Sequence, residues 1–170
     1  SAGLWSALAL ALRTAAGHAK EPQSKVAILA RLAEVYAEKL DKSDEAIAAL
    51  EEALALDGDE ISVLKQLERL FARREDWRQV VEVSERLCAI ETDPKNFAAR
   101  KIRMASILEH KLNDGLAALE CMYQVLQKVP THPVPLRRLE VICRRAGDWS
   151  SLLQFYHREA MVATNPYRRA

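Results

Sequence analysis

Five cations at helical spacing carry what chemistry this sequence offers. Lys65, Arg69 and Arg73 stand four residues apart, so one face of one helix would hold all three. Arg137 and Arg145 recur at the same phase further along, on a stripe shared with Val134 and Val141, with Arg144 beside it. Planar guanidinium forks on a rigid wall suit paired hydrogen bonds to carboxylates, each contributing about 1.5–3 kcal/mol. Few of the remaining reactive residues are arranged for chemistry. His18, His110, His132 and His157 show no H-x3-H or H-E-x-x-H spacing, so no metal site is expected. The five glycines are scattered and form no phosphate-cradling loop. With no nucleophile at a strand-to-helix turn, neither an enzyme nor a cofactor is expected.

The elements behind these stripes follow from an internal period. Trp5, Trp77 and Trp149, the only tryptophans, are spaced by 72 residues, and Pro22, Pro94 and Pro166 keep the same step. Shifted by 72, Leu32, Ala33, Ala46, Ile47 and Leu50 land on Met104, Ala105, Ala118, Leu119 and Met122, with no gap anywhere. Each cycle divides into halves of about 36 residues, room for two helices and two short turns. Gly is scarce and Ala, Leu, Glu, Arg and Lys abound, which favours helix throughout.

The expected chain is therefore nine helices. The first covers Leu4 to about Lys20. Ser24 is expected to cap the second, and Asp41 to Ser43 to turn the chain. Gly58 is expected to close the third helix in a left-handed conformation. Asp59 or Glu60 would open the next, and Asp76 would cap the helix starting at Trp77. Helices from Asn96, Asp114 and Thr131 follow, Thr131 acting as a cap, and Trp149 begins the last. The regular spacing from each Trp to apolar neighbours marks the tryptophans as buried packing residues.

The half-units resemble the tetratricopeptide repeat, whose pattern is W-x2-L-G-x2-Y, then A-x3-F, then P. The first reads Leu29-x2-Leu32-Ala33-x2-Tyr36, then Ala46-x3-Leu50; the third reads Lys101-x2-Met104-Ala105-x2-Leu108, then Ala118-x3-Met122, then Pro130. The second and fourth depart from it, with Leu64-x2-Leu67-Glu68-x2-Phe71 and Leu136-x2-Leu139-Glu140-x2-Cys143, and with Val80 and Leu152 in place of the small Ala. Wider helix spacing there, filled by Trp77 and Trp149, is the expected consequence. The resemblance covers essentially the whole chain, 1–170. It implies an all-α, right-handed helical-repeat solenoid of antiparallel helix pairs, one domain, acting as a non-enzymatic scaffold that holds a protein or peptide in its concave groove.

By that resemblance the first helix of each pair lines the groove. The partner-binding residues are then Lys65, Arg69, Arg73, Arg137 and Arg145, and the partner is an acidic or carboxylate-bearing peptide. Rows with Glu34, Glu38 and Glu109 alternate with these cations, so solvated ion pairing between helices is the competing account. The carboxylate clamp of some family members sets Asn beside Lys, and no Asn lies on these stripes.

A formal net charge of +1 opposes a nucleic-acid or membrane-surface role. The alternatives are a half-a-tetratricopeptide RNA-binding module and a regulatory domain of a larger enzyme. No apolar run reaches the roughly 18 residues of a membrane span. Cys88 and Cys143 fall on apolar stripes and Cys121 beside one, which points to reduced thiols and a cytoplasmic setting. Both ends are cut in phase without polar capping helices, so a fragment of a longer repeat protein, prone to self-association at its open ends, is expected.

Overall fold

A computed structural model describes residues 2–146 together with Ser150 and Leu153. The helix expected from Trp149 lies outside the described residues, as do Leu152 and His157. Eight helices and no strand occur among the described residues: α1 (Ala2–His18), α2 (Pro22–Lys39), α3 (Ser43–Leu56), α4 (Ile61–Arg73), α5 (Trp77–Ile90), α6 (Pro94–His110), α7 (Gly115–Lys128) and α8 (Pro133–Ala146). Contacts cluster into two compact units, residues 1–90 and 91–170.

In the first unit each helix packs on its chain neighbour, α1 on α2, α2 on α3, α3 on α4 and α4 on α5. Connections this short fold neighbouring helices back on one another. Leu29, Leu32, Leu50, Val63, Leu64 and Val80 are completely enclosed. Ala33, Ala46 and Ala53 are buried between them, and their small side chains let α2 and α3 approach closely. In the second unit α6 packs on α7 and α7 on α8, around Ala98, Met104, Ala105 and Val125.

The turns repeat with the sequence. Lys42 N–H donates to the Tyr36 carbonyl over 2.8 Å, and Asp114 N–H donates to Leu108 over the same distance, 72 residues later. Between each such pair sits a residue in the left-handed region, Asp41 (φ 53°) or Asn113 (φ 54°). Asp and Asn tolerate that conformation better than other residues with a side chain. The α4–α5 turn uses it too, at Glu75 (φ 58°), where Asp76 N–H donates to Phe71 over 2.9 Å.

Several expected ends are corrected. Helix α2 begins at Pro22, where the missing N–H costs nothing, and Ser24 lies inside its first turn with Oγ donating to Glu21. Gly58 is not left-handed. Helix α3 ends at Asp57 in extended backbone (φ −138°), and the Gly58 carbonyl accepts from Arg86. The cap of α8 is the His132 imidazole, whose Nδ1 accepts from Val134 N–H at 3.3 Å, one residue after Thr131. Glu60, Asp76, Asp93 and Asp114 each accept from a backbone N–H in the first turn of the following helix. Trp77 is half-buried and Trp5 is 37% exposed, with the Lys39 ammonium 5.4 Å from its ring, so neither is enclosed as expected. Trp149 is outside the described residues.

Three polar side chains are buried among the described residues. Lys101, 2% exposed, occupies in α6 the slot that Leu29 fills in α2, with Nζ 5.7 Å from the Phe97 ring. Glu68 and Ser84 meet across α4 and α5, Ser84 Oγ donating to Glu68 Oε1 at 2.6 Å. Cys88 and Cys121 are both buried thiols outside any disulfide, so Cys121 belongs to the core rather than beside it. The Cys143 side chain is outside the described part.

Candidate functional site

Helix α4 buries Val63, Leu64, Leu67, Glu68, Leu70 and Phe71, and this leaves Ser62, Lys65, Arg69 and Arg73 on its exposed side. The three expected cations therefore share one face. Arg69 Nη2 lies 3.8 Å from Glu38 Oε1 on α2, a loose exposed pair. Arg74, off the stripe, pairs with Asp44. Lys65 and Arg73 have no ion-pair partner among the described residues. Ion pairing between rows is thus real at Arg69 and does not extend to its two neighbours.

In the second unit a cleft of about 940 Å³ opens between α7 and α8. Its apolar floor is Ala118, Leu119 and Met122 of α7; Val134, Arg137, Arg138 and Val141 line the α8 side. Glu109 at the end of α6 pairs with Arg138 and closes one rim. Arg137 is exposed with no ion-pair partner among the described residues. Glu109 was expected among the counter-charges of the groove; it serves Arg138 instead. Arg145 lies on α8 by its backbone, and its side chain is outside the described part. The α4 and α8 cations belong to different units.

The cleft's valines were visible as a stripe, but its floor was not anticipated. Leu119, half-buried, and Met122, buried, sit in slots that Ile47 and Leu50 occupy one period earlier, where both residues are buried. The available signal was the change of type on the facing helix, from Ser62 and Arg69 to Val134 and Val141.

One further cluster is structural. Glu52 on α3 receives Lys25 Nζ at 3.1 Å and Arg13 Nη1 at 2.6 Å, tying α1 and α2 to α3. The hydrogen bond from Lys25 is the largest cause holding its carboxyl below the ordinary carboxylate value; partial burial opposes it and Arg13 reinforces it. Among the described residues no group of three His, Cys, Asp or Glu is placed to hold a metal ion, and no helix is long and apolar enough to cross a membrane.

Comparison with known proteins bears on the fold. The tetratricopeptide-repeat family profile matches residues 136–166. The N-terminal domain of stress-induced protein-1 (STI-1) from C. elegans superposes with a TM-score of 0.54 at 15% identity, over 72% of this chain and 97% of that one. The chain has the helical-repeat fold of the tetratricopeptide-repeat domains it resembles. The MamA crystal structure is also similar, with a TM-score of 0.49 and 13% identity over 80% of this chain and 77% of MamA. No curated protein matches by sequence. Tetratricopeptide repeats serve in general as protein–protein interaction scaffolds and are typically non-catalytic.

Proposed function

We propose that this helical-repeat chain is a non-enzymatic scaffold that binds an acidic peptide or protein segment through the exposed cations of its first-of-pair helices. The observation that carries this is the unneutralised cations on those helices, Lys65 and Arg73 on α4 and Arg137 on α8. An exposed pair contributes about 0–1 kcal/mol, so a cation already paired has little to lose and an unpaired one is open to a partner's carboxylate. Arg145 shares the α8 stripe by sequence and joins the set on that ground. Charge favours the later part of the chain: residues 91–170 carry thirteen Lys and Arg against eight Asp and Glu, whereas residues 1–90 carry twelve against sixteen. The buried thiols Cys88 and Cys121 suit a reducing, cytoplasmic setting.

A peptide array probed with the wild type and with a Lys65→Glu, Arg73→Glu, Arg137→Glu triple variant tests the reading. Acidic peptides should be enriched by the wild type and lost by the variant. If they are not enriched, or if the variant keeps the same hits, the cations are merely solvated.

A further inference from the structure

The lining of the α7–α8 cleft differs in kind from the lining at the same positions one period earlier. There the residues are Ser62 and Arg69, both exposed and polar; here they are Val134, 47% exposed, and Val141, 43% exposed. Half-exposed valines facing Leu119 and Met122 across a cleft form an apolar surface that water covers poorly. A second change accompanies them. Ala37 and Gln66 of the first cycle become Glu109 and Arg138, which pair with each other. The pair occupies Arg138 and leaves Arg137 as the cation beside the apolar floor. Arg137 keeps the basic character of Lys65 in its slot, so a cation is common to both cycles while the apolar setting is peculiar to the second.

Size and charge together select the occupant. A volume of about 940 Å³ is too large for one buried side chain and is in the range of pockets that enclose small ligands. The net positive charge of residues 91–170 and the unpaired guanidinium at the rim call for an anionic group; the floor calls for a bulky apolar one. We propose that the cleft between α7 and α8 anchors a segment of a partner protein in which bulky aliphatic side chains stand next to aspartate or glutamate. The aliphatic groups seat on Leu119, Met122, Val134 and Val141, and the side-chain carboxylate meets Arg137. This narrows the scaffold reading and rests on it.

The test uses fluorescence anisotropy with a short labelled peptide, acetylated and amidated so that no terminal carboxylate is present. It carries two leucines flanked by aspartates. One control replaces the leucines with serine, and the other replaces the aspartates with asparagine. The wild type should bind the parent peptide about tenfold or more tighter than either control. The Val134→Ser, Val141→Arg variant installs residues the chain itself uses at Ser62 and Arg69. It should melt with the wild type, and its preference for leucine over serine should collapse toward unity. Arg137→Glu should instead abolish the preference for aspartate over asparagine. Lys65→Glu with Arg73→Glu should leave the leucine preference intact, since neither residue lines the cleft.

No binding of the parent peptide, or a leucine preference that survives the valine variant, overturns the cleft proposal. If acidic peptides bind without regard to leucine and the α4 variant weakens them, the cleft proposal falls while the scaffold reading stands. The array judges that reading separately.

Discussion

The hydrogen bond between Ser84 and Glu68 should contribute measurably to the stability of the first unit. Ser84 is 2% exposed and Glu68 8% exposed, and the 2.6 Å contact joins α5 to α4. A hydrogen bond to a charged group contributes about 1.5–3 kcal/mol when buried, because its loss strips solvation that water cannot restore. Ser84→Ala also gains helix propensity of about 0.5 kcal/mol, which offsets part of the loss. The net expectation is destabilisation by about 1–2.5 kcal/mol, from a change that removes one oxygen atom. Urea melts of the full chain followed by circular dichroism measure it, with Glu68→Gln and the double variant completing a cycle. Gln keeps an acceptor but no charge, so the coupling energy isolates the charge-assisted part, expected near 1 kcal/mol. A single-variant effect under about 0.5 kcal/mol, together with zero coupling, would refute the reasoning. The contact would then stabilise no more than the hydration it replaces.

Glu75→Gly should be neutral or stabilising by up to about 1 kcal/mol in the same melts, since Glu75 holds a φ of 58° that glycine adopts without strain. Its mate one period later, Gly147, is already glycine. Trp77→Ala should cost about 1–2.5 kcal/mol, roughly half the penalty of a fully enclosed aromatic, because the ring is half-buried. Glu52 has a lowered folded-state pKa, so its contribution is complete above the unfolded carboxylate value and is lost as pH falls through the lower folded one. Glu52→Gln should therefore lower stability at neutral and alkaline pH, by at most about 1 kcal/mol for so exposed a cluster, and change little at acid pH, so that the acid limb of a stability-versus-pH curve flattens.

The fold was largely legible because a repeat presents its pattern more than once. Helix existence and order followed from the 72-residue step, and small residues such as Ala33, Ala46 and Ala105 marked where helices touch. Helix ends were less legible, since a cap depends on which of several adjacent groups reaches the first amides. Pro22 displaced Ser24, and His132 displaced Thr131. Burial of the tryptophans was overestimated for a related reason: periodicity says which side a residue faces, not how much lies beyond it. At the candidate site, spacing alone placed Lys65, Arg69 and Arg73 on one face. The α7–α8 cleft was hidden because it depends on how firmly α8 seats on α7, a tertiary property that no single helix's pattern carries. Comparing cycles slot by slot would have flagged Val134 and Val141.

The enclosed thiols have a use apart from stability. Cys88 lies in the first unit and Cys121 in the second, each shielded from solvent. A thiol reagent can reach either one only when the surrounding helices part, so its labelling rate under native conditions counts openings of that unit. Digestion and mass spectrometry separate the two sites. Cys88 and Cys121 are therefore built-in clocks, one in each half, and they report whether the halves breathe together or independently without any probe being introduced.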